Sequence, residues 1–287
     1  MAVGYNGALP PSIKLTTSKV IVDLRPHLIS MGISRTTSEI SELTVSIDDP
    51  KYALLTAYGE PLGAKVATMN LDYVVDSMDV DAGGGTGGMT LNCRPRTVRD
   101  LKLRRGAFVM NNVSPTQWVE HEVKAVGGRF IGQPSARRAR VAREVTSNTN
   151  DEKPSTWTTM RSLAESLGYW LYEDNNVFYF GKPSWLVKNV GRISINRQDP
   201  VPSKRPVNPP TMSASMDNPK ATEWSFSMGV EHATSVRPGM CVNLKSFPMR
   251  NGDYLLTNVE HPIYGSASDL SLTMSKPVDP EPMKAAN

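Results

Sequence analysis

Two segments in the first and last thirds of this 287-residue chain alternate apolar and polar residues without a break. The apolar positions are Leu43, Val45 and Ile47 in residues 43–47, and Leu270, Leu272 and Met274 in residues 269–275. Successive side chains of a β-strand point to opposite faces, so this period predicts strands with one buried face. Glycine (21) and proline (22) are also plentiful, which favours short strands connected by turns.

Residues 15–105 are predicted to form an all-β unit around the first of these strands. Asp49-Pro50 is a stop signal directly after it. The signals that follow are a hydrophobic stretch at 52–58, a turn at 60–63, a strand-like run at 66–80, a glycine-rich tip at 83–88 and a strand at 89–93. This order predicts short strands that succeed one another through turns.

The middle of the chain changes to helix signals. Ser114 suits the N-cap position, Pro115 the first helical position, and Gln117 stands three residues after the cap. Valines 119, 123 and 126 fall on one helix face, and Gly127-Gly128 can supply a left-handed C-terminal stop. These signals predict one amphipathic helix.

A second helix and a hairpin are predicted directly downstream. The helix has Ser155 as its cap, apolar residues at helical spacing from Trp157 to Leu167, and Gly168 as its end. The hairpin has aromatic-rich strands at residues 169–173 and 177–181, which flank Asp174-Asn175-Asn176. Asparagine and aspartate tolerate the positive φ of tight turns, so they fit the position between two strands.

A proline-rich stretch separates this region from a second β unit. Residues 199–219 contain six prolines, which predicts an extended linker or excursion without a core of its own. Pro238-Gly239 then opens a strand, Asn251-Gly252 turns the chain into another, and the alternating segment follows. The chain is thus predicted to be mainly β with an α+β insert, divided into an N-terminal β domain (1–106), an insert (107–198), the linker (199–219), a second β portion (220–276) and a tail (277–287).

Positive charge is concentrated in one part of the sequence. The net charge is +4, but residues 94–143 hold twelve Lys or Arg against three acids. The cluster comprises Arg94, Arg96, Arg99, Lys102, Arg104 and Arg105, and then Arg137, Arg138, Arg140 and Arg143. Such a stretch can bind phosphates, face a protein partner or a lumen, or be an ordinary solvated surface. Residues 133–143 contain no aromatic side chain on which a base could stack, which disfavours nucleic-acid recognition.

No motif for catalysis, a cofactor or a metal is predicted. Gly83, Gly85 and Gly88 match a dinucleotide fingerprint, but a strand follows them where that site requires a helix. His121-Glu122 begins like a zinc-protease motif, yet Ala125 stands where the second histidine belongs. The carboxylate pairs Asp48 with Asp49 and Asp79 with Asp81 could in principle cut glycans, although aspartate also favours turns and strand ends.

The sequence also predicts a protein that is not inserted in a membrane. It contains no run of eighteen or more apolar residues, and its first ten residues lack the layout of a signal peptide. Cys93 and Cys241 lie far apart and outside any CxxC pair, which favours a reducing compartment during folding over a disulfide framework.

Two regions of the sequence resemble phage tail hub proteins of the late-control protein D group. The first is residues 155–181, in which the predicted helix leads into the aromatic hairpin. The second is residues 236–261, in which a Pro238-Gly239 turn and a Gly252-Asp253-Tyr254 strand precede Val259-Glu260-His261. The matching residues are architectural. The glycine-rich tip at 83–88 and the proline-rich stretch at 199–219 have no counterpart in this pattern.

The resemblance implies a non-enzymatic homotrimer at the tip of a phage tail tube or in its baseplate, assembled in the host cytoplasm. Each chain would contribute two small tail-tube-like β-barrels, so three chains would present a pseudo-sixfold ring. Such a ring would join a hexameric tail tube protein to a trimeric spike or tip protein. It would also surround the tape-measure protein and contact DNA passively during passage, with the arginines of residues 94–143 facing the lumen or an acidic neighbour.

Two alternatives from other functional classes are compatible with the sequence. One is a tail-associated cell-wall hydrolase that uses a carboxylate pair such as those above. The other is a β-barrel that binds nucleic acid through the basic stretch, with the steep salt dependence expected of phosphate contacts.

Overall fold

The structure is a computed structural model that describes residues 12–16, 21–38, 40–49, 61–66, 69–80, 88–105, 108–136, 138–143, 155–200, 205–208, 210–214, 222–247, 251–265 and 269–282. The predicted hydrophobic stretch at 52–58 and all of the glycine-rich tip except Gly88 lie outside these residues.

The elements fall into three groups along the chain. The first half of the main sheet comprises β1 (Ser12–Thr16), β2 (Ile21–Asp23), β3 (Leu28–Thr36), β4 (Glu42–Asp48), β5 (Pro61–Val66), β6 (Met69–Val80) and β7 (Gly88–Pro95). The middle module comprises α1 (Arg96–Leu103), β8 (Phe108–Val113), α2 (Pro115–Ala125), β9 (Arg129–Gly132), β10 (Ala139–Arg143), α3 (Thr156–Leu167), β11 (Trp170–Asp174), β12 (Val177–Gly181) and α4 (Pro183–Asn189). The second half of the sheet comprises β13 (Arg192–Asn196), β14 (Thr211–Ala214), β15 (Thr222–Gly229), β16 (Cys241–Lys245), β17 (Gly252–Tyr264) and β18 (Asp269–Ser275).

The two halves form one 13-stranded sheet. Its main path runs β14-β15-β18-β17-β3-β4-β7-β6-β5-β1-β2, and β16 also pairs with β17 and, in parallel, with β13. The long strand β17 changes partner at Thr257, where its register against β18 shifts by a β-bulge. Before the bulge β17 pairs with β16, and after it with β3. A bulge bends a strand and increases its twist, which allows one strand to serve both halves.

Each half surrounds its own apolar core. Leu43, Val45 and Ile47 are fully buried in the first core, as the alternating pattern predicts, and β17 adds Ile263 and Tyr264 to it. Leu270, Leu272 and Met274 are fully buried in the second core. Burying one such side chain stabilises the fold by about 1.5–3 kcal/mol, so each core holds its half of the sheet together.

The middle module confirms the predicted helices and hairpin. Ser155 accepts a hydrogen bond from the Thr158 N–H as N-cap, and Gly168 ends α3 with a φ of 65°. Helix α2 begins at Pro115 as predicted, but the Ser114 side chain makes no capping hydrogen bond. In the hairpin of β11 and β12, Asn175 and Asn176 have φ of 48° and 65°, the left-handed pair of a two-residue turn. Strand β9 pairs in parallel with β12.

Four details differ from the sequence prediction. The turn predicted at residues 60–63 is wrong for the described part, because Pro61 opens β5, a position where a missing N–H is tolerated. In the run predicted at 66–80, Val66 is the last residue of β5, and residues 69–80 form β6. Helix α1 lies inside the predicted all-β unit. The proline-rich stretch contributes β14, which pairs with β15.

The strand pairing does not show the two separate barrels that the resemblance implies. In the part of the chain that the structure describes, no ladder joins β2 or β14 to another strand that would close either half. The halves are instead continuous with each other through β17 and β3. The observed architecture is therefore mainly β, with one large sheet that is antiparallel except for the pairing of β13 with β16.

The described end of the C-terminal tail packs against the middle module. The Asp279 carboxylate accepts hydrogen bonds from the Ser184 N–H at 2.9 Å and from the Ser184 hydroxyl at 2.7 Å. The Pro280 carbonyl lies where a side chain at Gly168 would project, 2.5 Å from the position of its Cβ. Residues 277–282 contain no helix or strand, and these contacts fix their path.

Candidate functional site

A polar joint connects the middle module to the main sheet near the point where β3 meets β17. It consists of Arg35, Ser41, Tyr73, Tyr172, Glu173, Asp174, Pro238, Gly239 and His261. Two of these residues lie on the buried face of the sheet between apolar residues. On that face Arg35 follows Ile33 along β3, and His261 lies between Val259 and Ile263 along β17. The joint is therefore a polar interruption of an otherwise apolar interior.

Arg35 and Asp174 form the central ion pair of the joint. Their side chains are 4% and 3% exposed, and Arg35 Nη1 lies 3.6 Å from Asp174 Oδ1. Arg35 Nη2 also donates to the Ala233 carbonyl at 3.3 Å, which ties β3 to the second half. Burial raises the pKa of Asp174, and the positive charges of Arg35 and Arg237 oppose this rise.

Arg35 Nε and His261 Nδ1 are buried and make no hydrogen bond within the described residues. Each unsatisfied buried polar group lowers the stability of the fold by about 1–3 kcal/mol. The apolar contacts around the joint must offset this loss.

Glu173 forms a second carboxyl centre beside this pair. Its Oε2 accepts from the Ser41 hydroxyl at 2.5 Å, and its Oε1 accepts from the Asn176 N–H at 2.5 Å. Burial raises the pKa of Glu173 to about 8, against the lowering effect of these two hydrogen bonds. Near neutral pH this carboxyl is therefore mostly uncharged, which reduces its repulsion with Asp174. The Tyr73 hydroxyl lies 3.1 Å from Ser41 Oγ and extends the network into the first half of the sheet.

Two tyrosines and a glycine complete the joint on the side of the second half. Tyr172 and Tyr179 stack with ring centroids 4.8 Å apart, and the Tyr172 hydroxyl donates to the Pro238 carbonyl at 3.3 Å. Gly239 has a φ of 85°, and a Cβ there would lie 1.9 Å from the Tyr172 hydroxyl oxygen. Only glycine fits this position, which gives a structural role to the Pro238-Gly239 turn.

A groove of about 620 Å³ lies between α3 and the sheet next to the joint. Residues 36–38 and 257–258 line its sheet side, and Arg161, Glu165 and Trp170 line its helix side. The Thr37 N–H donates to the Thr257 carbonyl at 2.9 Å, so the groove lies beside the β-bulge of β17. The groove therefore follows the boundary between the middle module and the sheet.

The structure divides the basic stretch among several local ion pairs. Arg94 pairs with Asp76 at 2.7 Å, Arg96 with Asp72 at 3.0 Å, and Arg104 with Glu122 at 3.5 Å. Arg138 and Arg140 are exposed beside or on β10, and Arg137 lies outside the described residues. Three of the ten arginines in residues 94–143 are thus paired with a nearby carboxylate.

The described candidate carboxylates lie at or near the ends of strands in the first half of the sheet. Asp48 is exposed at the end of β4, Asp49 is buried, and Asp79 accepts a hydrogen bond from Asn92 at 2.8 Å. Asp81, Gly83 and Gly85 lie outside the described residues, and Gly88 begins β7. His121 Nδ1 lies 3.4 Å from its neighbour Glu122.

The described residues contain neither a metal-binding cluster nor a membrane-spanning helix. Within the described ranges, no group of three or more His, Cys, Asp or Glu side chains is arranged to hold a metal ion. No helix among the described residues is long and apolar enough to cross a membrane.

The sequence did not predict that the residues of the joint meet, and Asp174 was predicted only as a turn residue. The sequence does carry a signal for two of them. Arg35 and His261 stand at the alternate strand positions whose side chains are buried, and the neighbouring residues at those positions are apolar. A charged residue at a buried strand position indicates a buried residue of opposite charge beside it. That second residue is distant in sequence, and no local pattern identifies it.

No family model and no curated protein matches this sequence. Solved structures do match it. The 43 kDa tail protein of prophage MuSo2 from Shewanella oneidensis is similar with a TM-score of 0.63 at 11% identity, over 93% of this chain and 97% of that one. A tail protein from Neisseria meningitidis MC58 is similar with a TM-score of 0.63 at 9% identity, over 93% and 96%.

A third similar structure comes from a bacterial secretion system. It is an E. coli component of the type VI secretion system, itself structurally similar to the T4 bacteriophage tail proteins gp27 and gp5. The TM-score is 0.60 at 12% identity, over 88% of this chain and 74% of that one. At these identities the likeness concerns the fold, and it extends over nearly the whole chain. The chain therefore has the fold of phage tail proteins, in agreement with the resemblance of its sequence.

Proposed function

We propose that this chain is a non-enzymatic structural hub protein of a phage tail or contractile injection machine. The fold that it shares with two tail proteins and with a type VI secretion component supports this function. The middle module is joined to the sheet by buried contacts of Arg35, Glu173 and Tyr172, which suits a part that must transmit load. In this proposal the chain functions by providing surfaces for assembly, and it uses no catalytic residue and no cofactor.

The observation that carries the proposal is the join of the two sheet halves through β3 and β17. Each half surrounds its own core, so one chain presents two β units. Three copies would then present six such units around a threefold axis, the symmetry needed to meet a hexameric tail tube on one side and a trimeric spike or tip on the other. The outer strands β2 and β14 would be completed by neighbouring copies, which would close the two barrel-like units within the ring.

We propose that the domains of the chain divide at residues 106, 198, 219 and 276. Two contacts refine its use. Val98 and Leu101 of α1 pack in the core of the middle module, and β13 pairs with β16 of the second half. Variants that separate the domains should therefore keep α1 with the insert and β13 with the second β portion.

The remaining partners follow from the place of such a ring in a tail. The ring would lie at the tail tip or in the baseplate of the virion, after assembly in the host cytoplasm. Its channel would hold the tape-measure protein and later pass DNA, which it contacts passively. Obligate ring interfaces of about 2,000 Å² or more would keep it closed.

Native mass spectrometry of the purified full-length chain tests this proposal. A ring of three copies has three times the 31.5 kDa mass of one chain. We expect this species to predominate at micromolar concentration, because a chain with obligate interfaces is stably folded only when it is assembled with other copies. A stable monomer across the whole concentration range would contradict the trimeric hub. Lysis of host cell walls by the purified chain would contradict the non-enzymatic function.

A further inference from the structure

The groove between α3 and the sheet is separate from the joint, although it lies beside it. None of the residues that define the joint lines it. Its volume of about 620 Å³ is within the range of roughly 300–1,000 Å³ that is common for sites of small ligands. Strands β15, β17 and β18 contribute to one wall, and α3 and the start of β11 contribute to the other. The groove therefore has the dimensions of a ligand site, with walls from two parts of the fold.

Two polar groups at the floor of the groove lack a hydrogen-bond partner. Thr37 lines the groove but is only 4% exposed, and its hydroxyl makes no hydrogen bond within the described residues. Asn258 also lines the groove, and its Oδ1 is buried without a partner there. Buried polar groups are nearly always paired with protein or with ordered water. The floor therefore lacks hydrogen-bond partners that a bound molecule can supply.

Three charged side chains at the rim of the groove are also unpaired. Arg161 and Glu165 stand one turn apart on α3, and Glu223 stands on the sheet side, on β15. All three are exposed, and within the described ranges none of them makes an ion pair or a hydrogen bond. They are therefore available to a ligand from both walls.

The sheet wall adds hydroxyl groups, and the helix wall adds aromatic rings. Ser275 pairs with Glu223 across β18 and β15, and Thr273 lies two residues earlier on the same face. Tyr169 and Trp170 line the other wall and are partly exposed. A partly exposed aromatic ring offers a flat apolar surface beside polar groups. The groove thus combines many hydrogen-bonding groups with aromatic surface.

The lining itself indicates which class of ligand fits. Its unpaired acceptors include Asn258 Oδ1 and the carboxylates of Glu165 and Glu223, whereas its charged donor is the Arg161 guanidinium. A nucleic acid would bring its phosphates to two carboxylates, and a basic segment would bring its cations to Arg161. A hydroxyl group donates one hydrogen bond and accepts two, so a neutral ligand with many hydroxyls can pair with both kinds of group. Sugar rings carry such hydroxyls at their edges and C–H groups on their faces, and these faces suit the ring of Trp170.

We propose that this groove binds a neutral oligosaccharide. Sugar hydroxyls would donate to Asn258 Oδ1 and to Glu223, and would accept from Arg161. A ring face would pack against Trp170, and the Thr37 hydroxyl would gain a partner. The groove lies within one chain, so this binding does not depend on the formation of a ring.

Isothermal titration calorimetry with the purified full-length chain tests this binding. The probes are three neutral hexasaccharides, namely maltohexaose, cellohexaose and chitohexaose, and two charged comparisons, hexalysine and a single-stranded DNA hexanucleotide. We expect saturable binding of at least one hexasaccharide, about tenfold or more tighter than that of either charged probe. The bound hexasaccharide should also slow amide hydrogen exchange in residues 36–38 and 257–258, which line the groove.

Two variants on opposite walls and one control locate the binding. Arg161→Ala and Glu223→Ala should each weaken binding of the hexasaccharide about tenfold, because each removes a hydrogen bond to a charged group. Lys188→Ala removes a charge from an exposed position of α4 outside the groove and should leave binding unchanged. Circular dichroism shows that each variant is folded.

A third variant tests the floor of the groove. Thr37→Val keeps the shape of the side chain, and should weaken binding without lowering the free energy of unfolding, because the hydroxyl has no protein partner to lose. Urea denaturation measures the second quantity. The absence of saturable binding by all three hexasaccharides, unchanged binding in any of the three groove variants, or tighter binding of hexalysine or DNA with the same protection would overturn the inference.

Discussion

The Arg35 guanidinium lies 3.6 Å from the Asp174 carboxylate, across the boundary between the main sheet and the middle module. Both side chains are almost fully buried, so neither charge can be hydrated if its partner is removed. The two residues are distant in sequence, and their contact fixes the module against β3. The effect of substitutions in this pair on the free energy of unfolding therefore measures how strongly the pair fixes the middle module to the sheet.

We expect either single variant, Arg35→Met or Asp174→Leu, to lower the free energy of unfolding by about 3–5 kcal/mol, because it leaves one buried charge unpaired. The double variant should lose much less, and it can equal the parent chain, because well-packed apolar side chains replace a buried ion pair at little cost. Urea denaturation measures all three. Arg25→Met, which breaks an exposed ion pair with Asp23, is the matched control and should cause no measurable change. Additive losses in the double variant would contradict a coupled pair.

The raised pKa of Glu173 predicts a specific pH dependence. A group whose pKa is higher in the folded chain favours folding below its unfolded pKa, and this contribution is lost as the pH rises through the folded pKa. For Glu173 the interval runs from its ordinary value of 4.5 to about 8. Thermal unfolding between pH about 6.5 and about 8.5 should therefore show a falling Tm in the parent chain and a smaller fall in Glu173→Gln.

His261 gives a contribution of opposite sign at lower pH. Burial and the positive charge of Arg35 lower its pKa from 6.5 to about 4. Its contribution to stability is present above pH 6.5 and is lost as the pH falls toward 4, so it does not disturb the comparison made for Glu173 at higher pH. Parallel curves for the parent chain and Glu173→Gln above pH about 6.5 would contradict the assignment of a buried, uncharged Glu173.

Gly239 should not tolerate a side chain. Gly239→Ala combines a φ of 85° with a Cβ 1.9 Å from the Tyr172 hydroxyl, and should cost about 3 kcal/mol or more. Gly127→Ala is the control, because its φ is 79° but nothing lies within 4 Å of the added Cβ, so only the backbone cost of about 1–2 kcal/mol applies. Adding Tyr172→Phe to Gly239→Ala should recover part of the loss. Equal losses at Gly239 and Gly127 would contradict the close packing of the joint.

Both cysteines should be unreactive in the folded chain. Cys93 and Cys241 are buried, and burial raises the pKa of the Cys93 thiol to about 12, so little thiolate forms. A thiol reagent should label neither residue in buffer and both in denaturant, as read by mass spectrometry. Rapid labelling of Cys93 under native conditions would show that β7 opens readily, contrary to its central place in the first core.

Local structure could be predicted from sequence where the signal is local. Helix α3 has its cap and its glycine stop within the segment, and the hairpin of β11 and β12 has two adjacent asparagines in left-handed conformation. In the strand β18, buried residues alternate without a break with residues that are partly or fully exposed. In each case short-range backbone chemistry and one buried face determine the element.

The parts that could not be predicted depend on distant partners. The pairing of β3 with β17 joins residues more than 200 positions apart, and no local pattern specifies which strand lies beside which. Helix α1 was missed because basic residues surround the few apolar residues, Val98 and Leu101, that it buries. The joint was missed because Asp174 satisfies a turn pattern by itself, and only the fold shows that Arg35 faces it.

The central claim is that three copies of this chain form a ring with two similar β units from each copy. Electron microscopy of the purified full-length chain, with class averages viewed along the ring axis, tests this claim most directly. The proposed function predicts rings with a central hole, threefold symmetry at the periphery and an apparent sixfold inner wall. Isolated single particles without a hole, or rings with any other number of subunits, would contradict it.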